Sequence, residues 1–269
     1  MKNTIKQLIP PLLIRILKRG SKFGWKGNYK NWKAAMENCS GYNAANILEV
    51  VRQSTLKVKN GEAVYERDSV LFDKPEYNWP LIASLMFISA LRKGNLYVID
   101  FGGSLGSTYF QNQIFLKELA EVRWGVIEQS NFVKVGNQQI SDEKLAFFES
   151  AADYIAAGLK PDVLLISCTL PYLEEPYKVL EYLLSLQIPF LIIDNTPFNY
   201  QDHDRITIQR VSPQIYPASY PCWFLSYNKL LEIIKQRYSI ISEHLNDSII
   251  DLDGHPIQYQ GFLAQLNTH

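Results

Sequence analysis

The stretch Val98-Ile99-Asp100-Phe101-Gly102-Gly103-Ser104-Leu105-Gly106-Ser107 decides the fold. A short β-run, residues 96–101, ends in an acid and then a glycine-rich turn. A helix-compatible segment, residues 108–119, follows. Glycines at such a turn permit backbone angles that other residues avoid, and they let a ligand approach the main chain. The first turn of the next helix offers unpaired N–H groups to negative charge. Val126-Ile127-Glu128 then reads as a second strand ending in an acid, where a carboxylate can accept both hydroxyls of a ribose. Strand, glycine turn, helix, strand, acid is the layout of an adenosine-binding βαβ unit.

The spacing discriminates between adenosine cofactors. A nicotinamide fingerprint runs G-x-G-x-x-G with an acid about 20 residues on. Here the glycines fall as Gly102-Gly103-x-x-Gly106, and Asp100 stands two residues before the first of them. An Asp at that place repels a pyrophosphate and attracts a cation. S-adenosylmethionine carries an ammonium and a sulfonium and no phosphate. The pattern therefore favours a methyl donor, held by Asp100, Gly102, Gly103, Ser104, Gly106, Glu128 and Gln129, with Ser167 at the end of a later strand.

Longer blocks carry a resemblance. They are Tyr65-Glu66-Arg67-Asp68-Ser69-Val70-Leu71-Phe72, Asn78-Trp79-Pro80, Asp100 through Asn112, Val126-Ile127-Glu128-Gln129 and Pro161-Asp162-Val163-Leu164-Leu165-Ile166-Ser167. Asp194-x-Thr196-Pro197-Phe198 and Ile215-Tyr216-x-Ala218-Ser219-Tyr220-Pro221 follow in the same order. Over residues 32–223 the chain resembles a bacterial family of class I S-adenosylmethionine-dependent methyltransferases often found beside surface-polysaccharide genes. The resemblance implies a doubly wound, Rossmann-like, seven-stranded α/β sheet, S-adenosylmethionine as cofactor, and a glycan or glycan intermediate as acceptor. Asn195 departs from the family, which has Arg there.

Composition bounds the remaining readings. At 269 residues and 47% apolar content the chain can bury a sizeable core. Cys39, Cys168 and Cys222 are widely spaced and odd in number, which suits a reducing cytoplasm and neither a disulfide framework nor a zinc pattern. The net charge is zero but unevenly spread. Residues 1–36 hold Lys2, Lys6, Arg15, Lys18, Arg19, Lys22, Lys26, Lys30 and Lys33 and no acid. Ile5, Leu8, Ile9, Leu12, Leu13, Ile16 and Leu17 follow helical spacing in this arm, with Pro10-Pro11 setting the start of a regular helix. Such a stripe suits the surface of an anionic membrane, peripheral to the inner membrane, or docking on the protein's own core. Arg15 interrupts the apolar run, which argues against a signal peptide. Basic residues are few outside the arm, which argues against nucleic acid.

Residues 1–94 read as a mostly helical N-terminal cap, with helices at 31–37, 44–57 and 81–91. Residues 95–269 read as the class I methyltransferase domain. Its strands are expected at 96–101, 123–128, 145–149, 162–167 and 190–194, and its helices near 108–119, 151–157, 176–186 and 227–236. Residues 238–244 and 258–266 close the sheet around a turn at Asp253-Gly254. The long connection 195–226 is rich in aromatics and should roof the acceptor site, beyond the carboxyl ends of the strands.

Methyl transfer is an in-line displacement that leaves one proton to manage. Asp194, ending the fifth strand, and His203, in the roofing loop, are the candidate general bases. Arg67 and Arg205 are candidate anion clamps for the acceptor, and Tyr172 and Tyr220 candidate aromatic faces. Asp202-His203-Asp204 and Asp251-x-Asp253-Gly254-His255 lack metal-ligand spacing and read as solvated turns, so no metal is expected. A nicotinamide-dependent sugar-nucleotide oxidoreductase is the first alternative. Against it, Tyr172 is followed at i+4 by Pro176 and not by the Lys of a Tyr-x-x-x-Lys pair. A non-catalytic cofactor-binding protein that meets partner enzymes through its basic arm is the second.

Overall fold

The computed structural model describes residues 23–39, 44–67, 70–213, 215 and 217–268. The expected amphipathic arm helix lies outside the described residues. In chain order the elements are β1 (Gly24–Tyr29), α1 (Trp32–Met36), α2 (Ala44–Lys59), β2 (Tyr65–Arg67), β3 (Val70–Phe72), α3 (Trp79–Leu91), β4 (Asn95–Phe101), α4 (Ser107–Leu116), β5 (Glu121–Ile127) and α5 (Ser130–Val135). Then come β6 (Leu145–Phe148), α6 (Ala151–Ala156), β7 (Val163–Ser167), α7 (Pro176–Ser185), β8 (Phe190–Pro197), β9 (Arg205–Arg210), β10 (Ser219–Phe224), α8 (Tyr227–Lys235), β11 (Tyr238–Leu252) and β12 (His255–Leu266).

Seven strands form the central sheet in the order β11-β12-β8-β7-β4-β5-β6. β4, β5, β6, β7 and β8 pair in parallel, and β12 inserts antiparallel beside β8. The chain starts the sheet at β4, winds outward through β5 and β6, then returns to β7 on the other side of β4. The switch point therefore lies between β4 and β7. This is the α/β, doubly wound, Rossmann-like arrangement expected from the sequence.

The strands are buried on both faces, as parallel strands must be. Val98, Trp124, Leu165 and Ile192 pack against α2, α3 and α4 through Val51, Leu85, Ile88 and Phe110. Ile99, Leu164, Ile166 and Ile193 point the other way, onto Leu180 and Leu184 of α7 and Leu230 and Ile234 of α8. The two-residue period of a strand then assigns the polar positions. Asp100, Ser167 and Asp194 share the face of Val98, Leu165 and Ile192, at the carboxyl ends of three adjacent strands.

Two regions differ from the sequence reading. The segment before residue 95 carries strands as well as helices: β1, and the β2–β3 hairpin. The roofing connection is also partly regular. β9 and β10 alternate Ile206, Ile208, Cys222 and Phe224 into the interior, and β1 joins them in a three-stranded antiparallel sheet, β1-β9-β10. Gly24 faces Arg210 across that sheet, a pairing no local window can anticipate.

Candidate functional site

The turn after β4 is built as its glycines require. Gly102 has φ +74° and Gly106 φ +86°, the left-handed region that favours glycine. Space is as restrictive as angle. A Cβ on Gly102 would lie 2.3 Å from Thr169 Cγ2, and one on Gly103 would lie 2.4 Å from Asp100 Oδ2. Thr169 Oγ1 donates to the Phe101 and Ser167 carbonyls, both at 3.0 Å, and so ties the ends of β4 and β7 across the switch point. The turn backbone folds directly over Asp100.

Asp100 is 1% exposed. Among the described residues its one hydrogen-bond donor is Trp124 Nε1, at 3.0 Å. Burial raises its pKa to about 7, against the Trp124 hydrogen bond, and the nearby charges of Glu128 and Asp194 add to the rise. Glu128 follows β5 on the far side of the turn. Burial raises its pKa too, while the Gln129 and Ser104 N–H groups donate to its carboxylate and lower it, the Gln129 contact at 2.9 Å. Asp100, Gly102, Gly103, Ser104, Gly106, Glu128 and Gln129 thus meet around one turn. Gly106 leaves the first turn of α4 without a side-chain cap.

Asp194 occupies a second buried position, 2% exposed, beside Ser167 across the β7–β8 ladder. Its surroundings are richly donating. Asn78 Nδ2 lies 3.0 Å from both carboxylate oxygens, Ser167 Oγ donates at 3.2 Å, and His244 Nε2 lies 3.3 Å away. Asn78 also caps α3, its Oδ1 accepting from the Leu81 N–H, so the positive end of that helix faces the same carboxylate.

The backbone explains how His244 arrives. β8 places both Asp194 and Asn195 opposite the single Gly261 of β12, between the pairs Ile193–Phe262 and Thr196–Gln260. Asn195 takes up the bulge with φ +46°. His244 of β11 pairs with Gly261. A Cβ at Gly261 would lie 2.7 Å from His244 Nε2, so the missing side chain is what lets the imidazole cross β12 to Asp194.

The other sequence candidates fall elsewhere. His203 is exposed, and its carbonyl accepts from Asn199 Nδ2. It is His244, and not His203, that meets Asp194. Arg67 pairs with Glu76 at 2.9 Å and sits over the Phe72 ring. Arg205 donates to the Gly27 carbonyl and pairs with Asp253, tying β9 to β1 and to the β11–β12 turn. Both arginines are therefore engaged by the protein itself. Tyr172 and Tyr220 do come together, edge to face with centroids 5.5 Å apart, and the Tyr172 hydroxyl donates to Gln209 Oε1 at 2.7 Å. Burial raises the pKa of that hydroxyl well above its ordinary value, with Cys222 and Cys168 nearby. Through these contacts the turn after β7 is joined to β9 and β10.

Asp204 accepts from the Tyr177 hydroxyl and the Ser226 N–H and pairs with Lys229. Asp251 accepts from the Gly254 N–H. Among the described residues no cluster of three or more His, Cys, Asp or Glu is placed to hold a metal. No described helix is long and apolar enough to cross a membrane.

The sequence reading missed His244 and Asn78 as partners of Asp194. Asn78-Trp79-Pro80 does carry a helix-start signal, but that signal says nothing of a carboxylate 116 residues away. For His244 the only local hint is a glycine in the neighbouring strand.

No family model matches the chain, and no curated protein does. Solved structures resemble it in fold. A SAM-dependent methyltransferase from Methanosarcina mazei aligns with 73% of this chain and 100% of its own, at 12% identity and a TM-score of 0.50. Magnesium protoporphyrin IX methyltransferase from Synechocystis, crystallised with SAM, covers 70% of this chain and 79% of its own at 14% identity and a TM-score of 0.44. A glycopeptide N-methyltransferase complexed with SAM covers 69% of this chain and 93% of its own at 10% identity and a TM-score of 0.48.

Proposed function

We propose that this chain is an S-adenosylmethionine-dependent methyltransferase acting on a hydroxyl of a glycan or glycan intermediate, with residues 95–269 as the catalytic domain and the preceding segment as its cap. One observation carries the cofactor assignment: a buried carboxylate, Asp100, lies beneath a two-glycine turn with one donor, and Glu128 stands across that turn. A buried acid so thinly satisfied is costly when ionised and gains most from a cation. The methionine ammonium of the cofactor is such a cation. Glu128 suits the ribose hydroxyls, and Gly102 and Gly103 let the ligand approach the main chain. A pyrophosphate on the turn would meet Asp100, which counts against a nicotinamide cofactor; Glu128 suits the ribose of either cofactor.

When bound, the cofactor supplies an electrophilic methyl group on sulfur. The chain's own residues align the acceptor and take up its proton. Ser167, Tyr172 and Tyr220 would orient the acceptor, because aromatic faces suit the apolar face of a sugar ring. The glycan class rests on the family resemblance and on these rings.

Calorimetry tests the cofactor. S-adenosylhomocysteine should bind and NAD should not. Glu128→Ala should weaken that binding by roughly 1–3 kcal/mol, because it removes the acceptor for the ribose hydroxyls. Tight NAD binding with no response to S-adenosylhomocysteine would end the assignment.

A further inference from the structure

We infer that His244, held by Asp194, is the general base that takes the acceptor's proton. The inference rests on the methyltransferase reading and adds the residue that completes it. Four observations converge on this imidazole. Its Nε2 faces Asp194 Oδ1 at 3.3 Å, and Asp194 is itself fixed by Asn78 and Ser167. The local backbone is shaped for the contact, by the Asp194-Asn195 bulge and by Gly261. Asp194 is almost wholly enclosed, whereas the His244 side chain keeps 12% of its surface exposed and so stays within reach of a ligand. Finally, Asn246, two residues further along β11, donates to Asn195 Oδ1 at 3.4 Å, and its own buried Oδ1 has no hydrogen-bond partner among the described residues. A second hydroxyl of the acceptor would satisfy it.

The carboxylate decides the tautomer. Asp194 accepts from Nε2–H and leaves Nδ1 as the proton acceptor. Among the described residues nothing hydrogen-bonds Nδ1. In the transfer, the acceptor O–H bond breaks and an O–CH₃ bond forms. The methyl–sulfur bond breaks with its electron pair passing to sulfur, and the proton goes to Nδ1. Asp194 is then a positioning residue that also stabilises the resulting imidazolium. His203 has no such partner and no such enclosure.

Two measurements on the full chain test this. Imidazole nitrogen NMR reads the tautomer directly, with the four histidines assigned by substitution. His244 should be in the Nε2–H form in wild type and become a mixture in Asp194→Asn and Gly261→Ala. A wild-type mixture indifferent to Asp194→Asn overturns the inference, whatever the cofactor. The second measurement follows S-adenosylhomocysteine formation from S-adenosylmethionine with a panel of p-nitrophenyl glycosides, and with water alone as the hydroxyl source. His244→Gln should lower the rate about 10²–10⁴-fold with S-adenosylhomocysteine affinity within about twofold, while His203→Ala leaves both unchanged. Full turnover in His244→Gln overturns the inference. So does a wild type that binds S-adenosylhomocysteine yet forms none with any hydroxyl, water included. Absence of cofactor binding in wild type instead marks failure of the methyltransferase reading, and the tautomer result still reports on the dyad.

Discussion

Asp100 and Asp194 invite comparison. Each lies near the carboxyl end of a parallel ladder, each points to the same face of the sheet, and they are 1% and 2% exposed. Their surroundings are opposite. Asp100 has Trp124 as its single donor among the described residues and carries a pKa raised to about 7. Asp194 has Asn78, Ser167 and His244, with the start of α3 behind them. A buried carboxylate short of donors is costly when ionised, and under the proposed function the cofactor's ammonium offsets that cost. A buried carboxylate surrounded by donors has its work inside the protein, orienting a neighbour. Burial is alike, so the donor count is what separates the two proposed roles, cofactor binding for Asp100 and positioning for Asp194.

The largest effect expected from breaking this contrast is in the pH dependence of stability. The folded-state pKa of Asp100 is raised above its ordinary value of 3.8 to about 7. Between those values the unfolded chain is ionised and the folded chain protonated, so the contribution of Asp100 to stability falls as pH rises through that window. The full swing is on the order of 4 kcal/mol. Asp100→Asn should remove it, making the ligand-free protein more stable than wild type at pH 8 and little changed at pH 4. Denaturant melts at the two pH values check this, and parallel curves for both proteins would refute it. Ligand binding should run the other way. A cationic ligand needs Asp100 ionised, so affinity for S-adenosylhomocysteine should fall about tenfold per pH unit below 7 in wild type and lose that dependence in Asp100→Asn.

Asn78→Ala sharpens the comparison from the other side. It takes the amide from Asp194 and the cap from α3 together. A lost cap costs about 1 kcal/mol, and a lost hydrogen bond to a buried charge about 1.5–3 kcal/mol. A combined loss of roughly 2.5–4 kcal/mol should appear in denaturant melts. Asp194→Asn should relieve part of it in the double mutant, because the uncompensated charge is gone. Strict additivity would mean that the Asn78–Asp194 contact contributes nothing.

The smallest effect belongs to His203. It is exposed on a loop, and its substitution by Ala should change stability by less than about 0.5 kcal/mol. A destabilisation beyond 1 kcal/mol would show that the loop depends on its ring.

These residues also mark what was legible in the sequence. The Gly102-Gly103-x-x-Gly106 turn and the acids on either side of it lie in one 30-residue window, and each βα unit is likewise read from its own short stretch. There periodicity, turn chemistry and strand ends are local properties. Asp194 was legible for the same reason, as a polar residue closing an apolar run. The strands within 195–226 had an alternating pattern too, but their partner β1 stands some 180 residues earlier.

By itself, then, the sequence determined the alternation that makes a doubly wound sheet and the two acids that frame the glycine turn. Only the tertiary structure decided which histidine meets Asp194. That choice depends on an antiparallel strand inserted beside β8, on a one-residue bulge at Asn195, and on a side chain missing from Gly261. None of these is a property of the residues around His244. Local preferences act over a few bonds, whereas the reach of an imbalance in donors or of an empty Cβ position is set by which strands become neighbours, and the packing of the whole sheet settles that.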